Sequence, residues 1–341
     1  MSKFSPKVHS LVEKGKFNYG VYKENILNVN PLDADGLIGS ITPKFIKDNA
    51  LKEWNSYQIT DDRFSIYIIL FSLKKSSNIQ IVIYDRIEDD TYTYSIDKPL
   101  FRVDIGKSIL NSNVFYKDES VMLEISNKLE NGCVEINFEV FNYNNTNIKG
   151  NLTGAKDLIN PLISCIPFEN NRAMYSHRQL MNVGGSLLID ENFYKLSSNA
   201  SMIASDQKSF YPHEFWWNQS SASMKNENGI FAFNLTENQS LFPSKYNENC
   251  FWIDEKINLL PAVTFLFDRS KNIWKIVDEK GNIDLTFKVK VNFEVYKNYF
   301  ISKSDYKTCF GVFNGFITDL NGNKIEIKNY FGLGEVVDIT I

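Results

Sequence analysis

Two neighbouring stretches carry most of the side chains able to do chemistry. The first reads Asp206-Gln-Lys-Ser-Phe-Tyr-Pro-His-Glu-Phe-Trp-Trp-Asn-Gln-Ser-Ser-Ala-Ser223 and gathers acids, Lys208, Tyr211 and the pair Trp216 and Trp217. The second runs from Asn234 to Asp254 and offers Asn234, Glu237, Asn238, Gln239, Tyr246, Glu248, Asn249 and Trp252. A carboxyl enclosed by apolar groups has its charged form disfavoured, so it holds a proton and can deliver it. Asp206 and Glu237 are the candidates for that catalytic role. Lys208 pulls the other way, because a close ammonium lowers the pKa of a carboxyl. Aromatic faces stabilise a developing cation by on the order of 1–2 kcal/mol each, which suits Trp216, Trp217 and Trp252 as pocket walls. Side-chain amides bond in both directions, so Asn234, Asn238, Gln239 and Asn249 could anchor a ligand together with Lys208, Tyr211, Tyr246 and Glu248. The plainer alternative is that the tryptophans fill the core and the amides close turns in water.

Other chemistries find no support in the residues. Only three histidines occur, His9, His177 and His213, and they are far apart. No HExxH and no CxxC is present, so no metal is expected. There is no Walker motif, GxGxxG or GxSxG, and no cofactor is expected. The pair Gly184-Gly185 suggests only a turn before a strand. The charge of −4 comes with lysines scattered among acids, as in Lys275, Asp278, Glu279 and Lys280, which argues against nucleic acid. The opening residues show no signal core, and the longest apolar stretch, Ile66 to Leu73, is too short for a transmembrane segment. Cys133, Cys165, Cys250 and Cys309 are widely spaced, as free thiols in a reducing cytoplasmic setting would be. The preference for Lys, Asn and Ile suggests a bacterial, AT-rich source. The oligomeric state stays open.

The elements that must position these residues are strands. Period-two alternation, rich in β-branched and aromatic residues, is cut repeatedly by Asn, Asp and Gly. Hairpins are expected at Gln58–Thr60 with Phe64–Leu73, Ile79–Arg86 with Thr91–Ser95, and Val121–Ser126 with Val134–Tyr143. More follow at Ser186–Ile189 with Phe193–Leu196, Phe215–Met224 with Ile230–Leu235, and Phe251–Asp254 with Ile257–Leu260. The last two are Ile273–Asp278 with Ile283–Val291 and Phe310–Thr318 with Lys324–Lys328. Within Phe215–Met224, Phe215, Trp217 and Gln219 share one face, and Trp216 and Asn218 the other. Short helices are expected at Ser5–Lys14 and Pro43–Asn49. The fold class is all-β, and 341 residues suggest two barrel-like domains. Patterning weakens across Lys156–Asn171, which places the division at 1–165 and 166–341.

Several motifs resemble a bacterial family known as domain of unknown function 2804. They are Leu235-Thr-Glu-Asn-Gln-Ser, Lys245-Tyr-Asn-Glu-Asn-Cys-Phe-Trp-Ile-Asp and Leu259-Leu-Pro-Ala-Val. Trp274-Lys-Ile-Val-Asp-Glu-Lys-Gly-Asn, Phe310-Gly-Val-Phe-Asn-Gly-Phe, Tyr330-Phe-Gly-Leu-Gly-Glu and the early Gly15-Lys-Phe-Asn-Tyr-Gly add to them. Asp206-Gln-Lys-Ser-Phe-Tyr-Pro resembles a family form Asp-His-Lys-Gly-Tyr-Tyr-Pro, with Gln207 in place of the His and Ser209 in place of the Gly. The resemblance implies tandem lipocalin-like antiparallel barrels, similar to carotenoid hydratases and some Diels–Alderases, and implies no particular activity.

Three functions compete. One is binding of a small apolar or amphipathic molecule in a barrel pocket. Another is a cofactor-independent hydratase, cyclase or isomerase acting by acid catalysis on an alkene or isoprenoid-like substrate. The third is a carbohydrate-active enzyme using paired carboxylates, such as Glu237 and Glu248, which would have to stand about 5–9.5 Å apart.

Overall fold

Asn, Asp and Gly at turn positions cut the alternating sequence into strands, as the hairpin signals require. The structure, a computed structural model, describes residues 3–37, 42–74, 76–96, 103–155, 159–169, 171–227, 229–253, 255–299, 302–319 and 321–340. Asp254 of the second cluster, Asn228, and parts of the Lys156–Asn171 stretch (156–158 and 170) lie outside these residues. The strands in order are β1 (Val12–Glu13), β2 (Lys16–Phe17), β3 (Gly20–Tyr22), β4 (Lys52–Thr60), β5 (Phe64–Ser72), β6 (Ser77–Asp85), β7 (Asp90–Ile96) and β8 (Ser112–Lys117). Then come β9 (Val121–Lys128), β10 (Cys133–Tyr143), β11 (Thr146–Ala155), β12 (Leu162–Glu169), β13 (Arg172–Ile189), β14 (Asn192–Lys195), β15 (Ser201–Ser209) and β16 (Glu214–Asn226). The rest are β17 (Gly229–Asn238), β18 (Cys250–Ile253), β19 (Lys256–Leu259), β20 (Val263–Asp268), β21 (Ile273–Asp278), β22 (Ile283–Tyr299), β23 (Ser302–Thr318) and β24 (Lys324–Thr340).

These strands form two large antiparallel sheets, each curled around its own core, in an all-β, lipocalin-like arrangement. The first has the order β7-β6-β5-β4-β15-β13-β11-β10-β9-β8. Its inner face holds Tyr57, Ile66, Ile81, Leu123, Phe138, Leu152 and Met202. The second has the order β19-β18-β17-β16-β24-β23-β22-β21-β20 and encloses Phe233, Phe251, Trp274, Phe287 and Phe313. Strand pairing passes from the first sheet to the second between Ser209 and Glu214, downstream of residue 165; β12 to β15 are hydrogen-bonded into the first sheet.

Two local features differ from the sequence reading, and a third agrees with it. Ser5–Lys14 is extended rather than helical, because Leu11 and Val12 dock into a cluster with Phe17, Tyr22 and Ile26 that fills one end of the first barrel. The helix near Pro43 forms, as α1 (Lys44–Ala50). Gly184-Gly185 lies inside β13 rather than in a turn before it. Gly185 has φ +138° and would drive a side chain into the Asn151 carbonyl, so only glycine lets β13 lie this close to β11.

The two barrels meet along a seam. Strands β4, β5, β6, β13 and β15 each point one residue parity into the first core and the other across the seam. Strands β16, β23 and β24 do the same for the second barrel. The seam is aromatic: Trp54, Tyr67, Tyr84, Phe168, Tyr211, Phe215, Trp217, Tyr306 and Phe310 form one buried cluster.

Candidate functional site

On β24 the segment Gly332-Leu333-Gly334-Glu335 divides by parity. A Cβ on Gly334 would collide with the Trp274 and Phe287 rings, so glycine lets the second core press against the strand. Leu333 and Glu335 point the opposite way, into the seam. Glu335 is buried, and its Oε1 accepts hydrogen bonds from the hydroxyls of Tyr67 (2.8 Å) and Tyr306. Burial pushes its pKa above the ordinary carboxyl range, and this outweighs the opposing pull of both tyrosines, of the Arg178 charge and of Trp217. Burial likewise pushes both phenols well up, with the Glu335 charge adding to it. The group is therefore a protonatable carboxyl ringed by aromatic side chains.

Arg178 comes from β13 on the other wall and is buried with Glu248, at 3% and 1% side-chain exposure. Its Nε stands 3.4 Å from Glu248 Oε1, its second guanidinium nitrogen donates to Ser205 Oγ at 3.2 Å, and its third donates to Gln219 Oε1 at 2.9 Å. One guanidinium thus ties the first sheet to β16 and to the 239–249 loop.

Between these groups lies a cavity with two small lobes that share Gln207, Trp217 and Gln219. One is lined by Phe168, Met174, Tyr211, Asn238 and Glu248, the other by Trp54, Tyr67, Arg178, Tyr306 and Glu335. Each has about 10 Å³ of free space, near the volume needed for one water. The indole N–H of Trp54 is buried there without a hydrogen-bond partner. The loop over the first lobe is tethered to β12 by Leu241 N–H to the Pro167 carbonyl (3.0 Å), and its Leu241 and Phe242 are exposed.

Of the residues singled out in the sequence, Tyr211, Trp217, Asn238 and Glu248 come together at this cavity, with Trp216 at its half-open edge. The others go elsewhere. Asp206 and Lys208 lie on the opposite face of β15, inside the first barrel. There Lys208 bridges Asp206 and Glu53, both at 3.2 Å, and donates to the Gly106 carbonyl at 2.9 Å. Asp206 also accepts from Asn55 at 3.0 Å and from the Ile109 N–H at 3.3 Å. Burial raises its pKa against the opposing pull of Lys208. Burial would lower the pKa of Lys208, but Asp206 and Glu53 hold it up. Lys74 also pairs with Glu53 at 2.5 Å, so two ammoniums serve the two carboxyls, and the set braces the barrel end.

Glu237 faces the second core, where its Oε2 accepts from Asn218 (3.0 Å) and from the Phe265 N–H (3.1 Å), clasping β17 to β20. Glu248 lies beyond the other face of β17, since Asn234 donates to its carbonyl at 2.7 Å. Asn234 and Asn249 fasten the loop, Asn249 accepting from Thr236 N–H (2.6 Å) and donating to Pro261 (2.8 Å). Gln239 bonds the Trp216 and Glu214 backbone. Tyr246 packs on Tyr19, and Trp252 is fully buried, donating to the Asn160 carbonyl at 2.9 Å.

Missed in the sequence were Arg178, Glu335, Tyr67, Tyr306, Trp54 and Gln207. Two signals were available: an arginine, Arg178, in the interior of the long run of β13, and a glutamate inside the Gly-Leu-Gly-Glu-Val-Val stretch.

The family profile described as domain of unknown function (DUF2804) matches residues 4–340. The chain belongs to that family. Gln207 lines both lobes. No curated protein matches the sequence. Among solved structures, CghA is similar with a TM-score of 0.53 and 12% identity, over 86% of this chain and 89% of that one. Kievitone hydratase from Nectria haematococca scores 0.46 at 12% identity, covering 85% and 88%. A putative AttH from Nitrosomonas europaea scores 0.45 at 10%, covering 85% and 93%. The CghA likeness shows a shared fold, and the two lower scores add nothing to it. Among the described residues no helix is long and apolar enough to cross a membrane, and no acid, His or Cys group could hold a metal.

Proposed function

We propose that this DUF2804 protein binds a small, mainly apolar molecule in the seam between its barrels. The observation that carries this is the convergence of Trp54, Tyr211, Trp217 and Tyr306 with the buried polar groups of Arg178, Gln207, Gln219 and Glu335. Ligand sites favour domain interfaces, with apolar walls and a few converging polar groups. The lobes hold only about one water each, so binding requires the 239–249 loop to move outward. Opening would break the Leu241 N–H to Pro167 bond and move the exposed Leu241 and Phe242, while Asn249 stays fastened to Thr236 and Pro261.

A second reading builds on Glu335. Its raised pKa and aromatic surroundings suit protonation of an alkene or a conjugated carbonyl, with the developing cation facing Trp217, Tyr67 and Tyr306. That is cofactor-independent hydratase, cyclase or isomerase chemistry. Asp206 and Glu237, on other faces, are not assigned this role. Nothing supports a paired-carboxylate glycosidase, because Glu237 and Glu248 lie on opposite sides of β17.

The test is a thermal-shift panel of isoprenoid, polycyclic and phenolic compounds on the full chain. A ligand at a hundredfold excess over Kd stabilises by about 2.7 kcal/mol. Hits that lose this shift in Trp217→Ala but keep it in Trp252→Phe support the site. An intact shift in Trp217→Ala overturns it. If Glu335→Gln keeps binding but stops turnover of a hit, the acid reading stands; unchanged turnover removes it.

A further inference from the structure

A separate cavity of about 210 Å³ opens at the mouth of the first barrel, between β7 and the β10–β11 hairpin. A cavity of roughly 150 Å³ lined by apolar side chains takes benzene, so this one has room for a single ring and a short chain. It belongs to neither the seam nor the Asp206 cluster.

Its lining is graded. Ile81, Val140 and Ile148 are buried and form an apolar floor, and the rings of Tyr92 and Tyr94 stand along one side. Asp90 is exposed at the rim and bonds Tyr92. No lysine or arginine is among the described lining residues. An apolar floor takes a ring, tyrosine faces attract cations, and a rim carboxylate attracts an amine and repels an acid.

We propose that this cavity is a second small-molecule site, selective for a compact ring bearing a protonated amine over the equivalent carboxylate. The floor would take the ring, and Asp90 with the face of Tyr92 would take the ammonium.

The test uses the full chain with 13C-methyl isoleucine, titrated with 2-phenylethylamine and with 3-phenylpropionate. The amine is expected to move the Ile81 and Ile148 methyl signals saturably at millimolar concentration, with the carboxylate several-fold weaker. Asp90→Asn should lower amine affinity by up to about fivefold, the range of an exposed ion pair. Thr146→Trp, which fills the cavity from its rim, should abolish the shifts while leaving the Ile276 methyl of the second barrel in place. The proposal is overturned if the amine gives no saturable shift, if both compounds bind equally, or if Thr146→Trp binds like wild type. If Thr146→Trp fails to fold, Asp90→Asn decides: unchanged amine affinity overturns it, and a loss supports it.

Discussion

Replacing Arg178 by Met should be among the costliest single changes in the chain. The guanidinium is buried with Glu248 and makes three polar contacts, to Glu248, Ser205 and Gln219. Methionine fills much of the volume but leaves the Glu248 carboxylate buried and unpaired. Breaking a buried pair from one side costs about 3–5 kcal/mol. That is a large part of the roughly 5–15 kcal/mol that holds a domain folded. Replacing both partners, as in Arg178→Met with Glu248→Gln, removes the uncompensated charge. The double variant should therefore lie within about 1–2 kcal/mol of wild type, since only ordinary hydrogen bonds are lost. Equilibrium urea unfolding of wild type, both single variants and the double variant closes the cycle. If Arg178→Met costs less than about 1 kcal/mol, the value for an exposed pair, the picture of a buried tie across the seam is wrong. A double variant worse than the sum of the singles would contradict it too.

Glu335→Gln should flatten the pH dependence of stability. Burial holds the Glu335 carboxyl of the folded chain above its ordinary value, so in the window between the two values it binds more protons than the unfolded chain. Wild-type stability therefore falls as pH rises through the window, by about 1.4 kcal/mol for each unit of pKa elevation, and the variant should escape this loss in thermal melts taken from pH 4 upward. Gly334→Ala should cost about 1–3 kcal/mol by overpacking against Trp274 and Phe287, read by denaturant midpoint and a change in near-ultraviolet dichroism; no loss would mean that β24 sits farther from the second core. Asp206→Asn should destabilise the first barrel, because Lys208 loses one of its two carboxylates, yet leave the affinity of any seam ligand unchanged. A parallel loss of affinity would put Asp206 back among the binding residues.

The hairpins were legible because each has turn residues between two alternating runs. Asn131-Gly132 is an example: Gly132 adopts φ +76°, as the connection from β9 to β10 needs. Strands β12, β13 and β15 were harder to see. They bury both faces, one against a barrel core and one against the seam, so residues such as Ser176, Arg178, Ser205 and Gln207 blur the expected alternation. The same fact explains the split among the site residues. Tyr211, Trp217, Asn238 and Glu248 were visible as local density in one region of sequence. Asp206 stood in the same region, but a single step along a strand reverses the face, and Gln207 reaches the cavity in its place. Tyr67, Arg178, Tyr306 and Glu335 come from four separate strands, and only strand order brings them together. Glu335 was quoted within a family motif, yet its chemistry depends on tyrosines remote in sequence.

The central claim is that the seam takes a ligand, and 19F spectra of the chain labelled with 5-fluorotryptophan test it most directly. The five tryptophans divide by place: Trp54, Trp216 and Trp217 line the seam cavity, Trp252 lies in a separate apolar cluster between the two sheets with Leu180 and Ile203, and Trp274 lies in the second core. With each signal assigned by a Trp→Phe variant, a stabilising compound should shift the Trp54 and Trp217 resonances saturably and leave those of Trp252 and Trp274 unmoved. Compounds that stabilise the protein while shifting only Trp252 or Trp274, or no tryptophan at all, would contradict the account.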